Sequence, residues 1–321
     1  MASGIAFLTR GRSLLSGVSV ATSTQTAAPA GRAGSRTLLR DLTALTKPGI
    51  TRLVVFTTAA GFLVAAGRGA DFALLFHTLL GAAFAAAGAN ALNMWWERET
   101  DAFMNRTSSR PLPAGRLAPA VALAFALGIS GYGLLHLALF VNAPTVLLVA
   151  GSLLSYVLVY TPLKRRTHHA TLIGCTPGAL PILAGWAATG TPIDATALSL
   201  FGIVFCWQMP HFYALAWVYR EDYGRGGMRM LSAVDHGGAR IGLESTLYSV
   251  LLLAVSLVPI ATGVVGWVYG VAAVALGGAM LVLSARLWRA RDDDRAWQLF
   301  YGSITYLPVL LASMLLDRFL V

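Results

Sequence analysis

Hydrophobic residues run along the chain in long blocks, separated by short polar stretches. A helix that crosses a bilayer needs about 20 largely apolar residues. Nine blocks come close to that length or reach it, at roughly 50–67, 72–95, 117–138, 142–161, 171–189, 196–218, 243–263, 265–287 and 296–316. The pattern predicts an all-α integral membrane protein of about nine transmembrane helices. The links at 139–141 and 264 are so short that the pattern fixes the segment boundaries there only loosely.

The stretch before these blocks is different. Residues 1 to about 40 are rich in Ser, Thr, Ala, Gly and Arg, and no acid precedes Asp41. With no packed-core pattern, residues 1–44 are expected to form a disordered basic tail, and 45–321 the membrane domain. An Arg-rich, Ser-rich, acid-poor start also describes an organellar presequence. The compact remainder, with its short loops, favours a plain bacterial tail, hence the bacterial plasma (inner) membrane over the mitochondrial inner membrane.

Composition agrees. Of 321 residues, 56% are hydrophobic and only 12% charged, where soluble domains carry about 25% charged residues. The formal net charge of +10 lies beside apolar blocks. It therefore points to lipid headgroups, topology and anionic substrate rather than to nucleic acid. Cys175 and Cys206 sit inside apolar runs and form no disulfide or metal framework.

Basic residues fall in alternate connections: Arg98, Arg106, Arg110 and Arg116; Lys164, Arg165 and Arg166; Arg220, Arg225, Arg229 and Arg240; Arg286, Arg289, Arg291 and Arg295. The other connections hold only Arg68. Basic loops stay in the cytoplasm, so the N-terminus and these loops are expected inside and the C-terminus outside.

Chemistry concentrates in Asn93-Met-Trp-Trp-Glu97-Arg-Glu-Thr-Asp101. Four residues of helix turn roughly 400°, so Asn93, Glu97 and Asp101 form a column of one amide and two carboxylates, while Glu99 points elsewhere. Such a column suits Mg²⁺, which shares carboxylates with substrate phosphates. Arg106 and Arg110 follow, with guanidinium groups matched to phosphate oxygens. The competing reading is a solvated loop whose acids and bases pair with each other. Tyr160-Thr-Pro-Leu-Lys164-Arg165-Arg-Thr167 closes the fourth block. Its tyrosine and cations suit a diphosphate leaving group, or simply stop a span from the cytoplasmic side. Pro181, in Gly-Ala-Leu-Pro-x3-Gly-Trp, is expected to kink its helix and free backbone carbonyls, and the glycines to permit close helix packing. His211 lies inside an apolar block, where an ionisable group marks either function or an interhelical hydrogen bond. His77 and His136 have no partner in the sequence, and Arg291-Asp-Asp-Asp-Arg295 reads as a solvated loop because three adjacent acids do not share one helix face.

Asn93-x3-Glu97-x3-Asp101 resembles the first N/D-x-x-x-D-x-x-x-D motif of the UbiA superfamily of intramembrane prenyltransferases. The string from Glu97 through Asn105-Arg-Thr-Ser-Ser-Arg-Pro-Leu112 is similar to its haem O synthase branch, with Glu97 standing where that branch usually has Asp. Leu-Thr-Lys47-Pro48, Tyr160-Thr-Pro-Leu-Lys-Arg, Pro210-His211-Phe-x-Ala-Leu and Asp222-Tyr-Gly-Arg-Gly-Gly-Met-Arg-Met-Leu resemble the same branch. Ala170 and Arg229 depart from its usual Asn and Pro. The resemblance covers roughly Leu45 to Leu316. It implies a UbiA-type helical bundle around a central cavity. The implied reaction is farnesyl transfer from farnesyl diphosphate to the 2-vinyl group of haem b, with water added.

On that resemblance Asn93, Glu97, Asp101 and Asp222 are the expected Mg²⁺ and catalytic residues. Arg106, Arg110, Tyr160, Lys164, Arg165 and Arg225 are the expected diphosphate ligands. His211 is the expected haem contact, either as a neutral imidazole on iron or as a cation facing a propionate. The implied partners are farnesyl diphosphate, haem b and the bilayer, with haem A synthase or cytochrome oxidase assembly factors as candidate proteins. Two other readings stay open. One is a prenyltransferase with an aromatic acceptor of quinone or chlorophyll type. The other is a transporter, although transporters place polar groups near the midplane and the charges here collect at block ends.

Overall fold

The computed structural model describes residues 35–320, and the structural statements below concern those residues. The expected disorder of residues 1–34 lies outside them. Helix α1 spans Ser35–Leu45. Nine further helices are long and apolar enough to cross a bilayer: α2 Pro48–Gly69, α3 Phe72–Trp96, α4 Pro119–Phe140, α5 Ala143–Leu163, α6 Ala170–Ala188, α7 Ala195–Val218, α8 Ala239–Ala261, α9 Trp267–Ala290 and α10 Asp293–Leu320. Every expected block is a helix. Polar residues extend some of them past the apolar run. Helix α8 begins ahead of its block, where Arg240 and Glu244 pair at 2.6 Å one turn apart.

Residues 35–44, expected as part of the tail, belong to α1. An isolated helix of this length is marginal in water, so packing must hold it. Leu45 is fully buried, and buried Asp41 accepts from Arg116 at 3.2 Å. Neither contact is visible in local composition. Lys47 then turns the corner into α2 with a left-handed φ of 46°, a conformation that costs a non-glycine residue roughly 1–2 kcal/mol.

The helices close into a ring. Helix α3 packs along α4, α2 along α6, and α6 joins α5 to α7. Helix α8 packs between α7 and α9, and α10 returns onto α7 and α2. Close approach is steric at the α2–α6 crossing. A Cβ on Gly61 would lie 1.9 Å from the Ile182 carbonyl oxygen, and one on Gly185 1.9 Å from that of Thr58. Small residues are what allow backbones to approach this closely where lipid supplies no hydrophobic drive. The antiparallel succession of spans sets Lys47 and the 97–118, 164–169 and 219–238 connections at one end of the ring.

Candidate active site

Helix α3 stops at Glu97, but its hydrogen bonds carry across the break. The Glu97 N–H donates to the Asn93 carbonyl at 2.9 Å, and the Asp101 N–H to the Glu97 carbonyl at 2.7 Å. Arg98–Asp101 forms one further turn. The four-residue ladder therefore survives. Its lower two carboxylates open into a cavity of about 430 Å³ enclosed by the ring, within the range of small-molecule sites.

The cavity has two unlike ends. Glu97, Asp101, Lys47, Arg106, Arg110 and Lys164 line the end beneath the charged loops. Trp207, His211, Phe212, Phe300, Leu53 and Val54 line the rest, with Tyr156 and Tyr160 also on the wall. Both tyrosines are supplied by α5, where Ser155–Tyr160 winds as a π-helix, a device often found at functional sites. Their rings lie 5.5 Å apart, and the Lys164 ammonium sits 4.6 Å from the Tyr160 ring centre. Gly174 of α6 makes room for that ring, since a Cβ there would meet it at 2.4 Å. Pro181 lacks an N–H and so leaves the Pro177 carbonyl free, and Ser152 donates to that oxygen at 2.7 Å.

At the charged end, cations and acids interleave. Lys164 donates to Glu97 at 2.9 Å and Arg110 to Asp101 Oδ2 at 2.6 Å. Asp101 Oδ1 is buried with no hydrogen-bond partner. Burial alone would raise the Glu97 carboxyl, but Lys164 and then Lys47 hold it below the usual carboxylate range. Burial works against the Lys164 ammonium, and Glu97 with Tyr160 outweighs it and raises its pKa. Lys47 goes the other way: burial first, then the Arg110 charge, push it down to about 7.

Four expected site residues, Asn93, Asp222, Arg165 and Arg225, lie off the cavity wall. Asn93 is fully buried and absent from the cavity wall. Its amide oxygen accepts from Lys47 at 2.6 Å, and its NH₂ donates to Thr161 at 3.0 Å, so it fixes α3 against α5 and holds the lysine. Asp222, another of the expected Mg²⁺ residues, also lies off the wall. Its two carboxylate oxygens accept the backbone N–H groups of Asn105 and Arg106, each at 3.1 Å, and Arg225 donates to it as well. These bonds hold its carboxyl below the usual range although burial opposes them. Asp222 thus pins the loop that carries Arg106, which packs over the Tyr219 ring at 4.9 Å. Arg165 and Arg225 do not reach the cavity. Successive helical residues diverge by about 100°, so Lys164 pointing inward sends Arg165 out. Among the described residues, no group of three or more His, Cys, Asp or Glu side chains is gathered as a metal cluster.

Lys47, Asn90 and Gln208 are among the wall residues that the sequence did not single out. Lys47 carried only the Lys-Pro signal of the first helix's start. Asn90, an amide inside an apolar block, donates to the Thr46 carbonyl and to Thr51, each at 3.3 Å. Gln208 donates to the Cys175 and Val204 carbonyls, each at 3.1 Å. For both amides the available signal was a polar side chain in a membrane span.

The model of the UbiA prenyltransferase family matches residues 54–310. A protoheme IX farnesyltransferase of Myxococcus xanthus (strain DK1622) is 44% identical over 284 residues, spanning 88% of this chain and 96% of its own. One of Solibacter usitatus (strain Ellin6076) is 40% identical over 289 residues, spanning 87% and 99%. Among solved structures, a digeranylgeranylglyceryl phosphate synthase superposes with a TM-score of 0.75 at 17% identity, covering 88% of this chain and 99% of that one. A UbiA homologue of Archaeoglobus fulgidus bound to DMAPP and Mg²⁺ superposes with a TM-score of 0.63 at 15% identity, covering 88% and 99%. These two structures share the fold, and the sequence relatives share the lineage as well: the chain belongs to the UbiA prenyltransferase family.

Proposed function

We propose that this protein transfers the farnesyl group of farnesyl diphosphate to the 2-vinyl group of haem b, with addition of water, giving haem O and diphosphate. The observation that carries the reading is the two-ended cavity, whose cationic and carboxylate mouth continues into an aromatic chamber containing one histidine. The protoheme IX farnesyltransferases at 40% and 44% identity support the same activity here.

The diphosphate belongs at the mouth, where Lys47, Arg106, Arg110 and Lys164 offset its charge. Mg²⁺ fits there too. Asp101 Oδ1 is a buried carboxylate oxygen without a partner, and Glu97 supplies a second hard donor, so these two acids would hold the ion. Bound, it would further neutralise the leaving diphosphate. Asn93 and Asp222, engaged elsewhere, position Lys47 and the Arg106 loop.

The chain's own residues then govern the bond changes. The farnesyl C–O bond breaks with its electron pair leaving on the diphosphate, which the Lys164 and arginine cations stabilise. The ring faces of Tyr156 and Tyr160 stabilise the allylic cation. The terminal vinyl carbon of haem donates its electrons to the farnesyl carbon, and the positive charge passes to the carbon next to the porphyrin. Water adds there and releases a proton. The apolar wall delays water until the carbon–carbon bond has formed. In this reading the bundle lies in the bacterial plasma membrane with its charged, basic end in the cytoplasm, so that diphosphate leaves into water.

Purified protein incubated with haem b, farnesyl diphosphate and Mg²⁺ is expected to yield a hydroxyethylfarnesyl haem by mass, and Asp101→Ala to lower the yield by at least about 100-fold. Unmodified haem from folded protein that still binds diphosphate would reject haem as the acceptor and redirect the search to aromatic rings.

A further inference from the structure

His211 projects from α7 about two turns, or about 10 Å, before its charged-end terminus and lines the cavity. Its ring lies 5.2 Å from that of Trp207 and 4.9 Å from that of Phe300. Its Nδ1 is 2.8 Å from the hydroxyl of Ser303 on α10. That hydroxyl is itself 2.6 Å from the Phe300 carbonyl oxygen.

A serine has one hydroxyl proton. Two oxygens held 2.6 Å apart with no proton between them would repel, so the serine proton lies toward Phe300. The Ser303 oxygen is then an acceptor, and His211 Nδ1 must carry the proton of the second bond. Among the described residues the other nitrogen, Nε2, makes no hydrogen bond, and the ring lines the cavity. In the neutral ring it bears the lone pair.

We propose that Ser303 is a positioning residue that fixes His211 as the Nδ1–H tautomer, so that the Nε2 lone pair meets the cavity as an axial ligand for the iron of the haem acceptor. The proposal rests on the functional reading above and goes past it, because it decides between two roles for the histidine. A neutral ring with an acceptor at its open nitrogen suits a metal and does not suit a propionate. Partners of the distal ring nitrogen are what orient imidazole ligands and raise their basicity at metal sites. The surroundings hold this geometry in place. Ser303 is fully buried, and its main-chain carbonyl accepts the Trp207 indole N–H at 2.6 Å, so one residue of α10 clamps both rings of α7. That second bond uses backbone only and survives removal of the hydroxyl.

The test uses the detergent-purified full chain and ferric haem b as the probe, without prenyl donor. Wild type is expected to show the visible and electron-paramagnetic-resonance signature of imidazole-ligated iron, and His211→Ala to lose it. Ser303→Ala is expected to fold at wild-type yield with a modestly lower thermal midpoint, to weaken haem binding about 10- to 100-fold and to alter the ligation spectrum. Ser303→Thr, which retains the hydroxyl, is expected to restore both. A Ser303→Ala protein with wild-type haem affinity and spectrum overturns the role of Ser303. Farnesylated haem made by wild type without nitrogen ligation overturns the role of His211 while leaving the functional reading intact. Nitrogen-ligated haem that is never farnesylated has the opposite effect: the iron ligand stands and the acceptor chemistry falls.

Discussion

Lys47 is the cation at the mouth whose charge is set by position rather than by residue type. Burial and the neighbouring Arg110 bring it from 10.5 to about 7, so it is charged below pH 7 and neutral above. Unfolded, it stays charged up to its ordinary value. Between about 7 and 10.5 the unfolded chain therefore holds one more proton, and this residue's contribution to stability rises with pH across that window. For function the sign reverses, because an anionic ligand favours the ammonium. In the absence of Mg²⁺, the ratio of wild-type to Lys47→Arg affinity for inorganic diphosphate is expected to be constant below pH 7. Above it the ratio should fall, by at most about tenfold per unit, because one proton is taken up on binding. Calorimetry across pH 6–9 would read it, and a flat ratio would mean that Lys47 stays charged. Asp101 complements it: one carboxylate oxygen is held by Arg110 and the other has no partner, which makes it the acid whose loss should cost most.

Elements bring these residues into register. The α2–α6 crossing carries Lys47 on one side and Pro177 and Pro181 of the cavity wall on the other. A methyl group at Gly185 would fall 1.9 Å from a backbone carbonyl and cannot be absorbed by turning a side chain. Gly185→Ala is expected to push the helices apart at a cost of about 1–3 kcal/mol, seen as a lower thermal midpoint in detergent with a parallel loss of diphosphate binding. An unchanged midpoint would mean that the crossing is looser than its contacts imply. The π-helical segment of α5 does a second job, since the widened turn brings Tyr156 and Tyr160 to the same wall and leaves Thr161 to receive Asn93. The loop that carries Arg106 depends on an element far along the chain, because Asp222 holds its backbone from the connection after α7.

At the scale of the whole molecule, the ring separates charge from apolar volume along its axis. The mouth residues Lys47, Glu97, Asp101, Arg106, Arg110 and Lys164 all belong to one end, and that end carries the basic loops. With nine spans between them, Lys47 and the end of α10 lie on opposite sides. If basic loops stay in the cytoplasm, a reporter fused after Val321 is expected outside, active as a periplasmic alkaline phosphatase and dark as a cytoplasmic fluorescent protein. The reverse result would place the mouth on the outer face and remove the route by which diphosphate reaches the cytoplasm.

The sequence by itself determined the number and placement of the membrane helices, because block length against bilayer thickness is a local property of the chain. It also determined the Glu97–Asp101 pair, because residues four apart share a helix face in any surroundings. The motifs pointed to the family for the same reason, since each is contiguous in the chain. Tertiary structure decided what no single segment contains. Asn93 looked like a third rung of the acid ladder, but Thr161 and Lys47 draw it into a helix interface. Asp222 read as a metal residue, and only the fold shows that its carboxylate also accepts N–H groups more than a hundred residues away. Ser303 carried no signal at all, and only the packing of α10 against α7 turns its hydroxyl into the group that sets the histidine's proton. Hydrogen bonds are short and directional, so the use of a polar side chain is settled by what folding brings within about 3 Å of it.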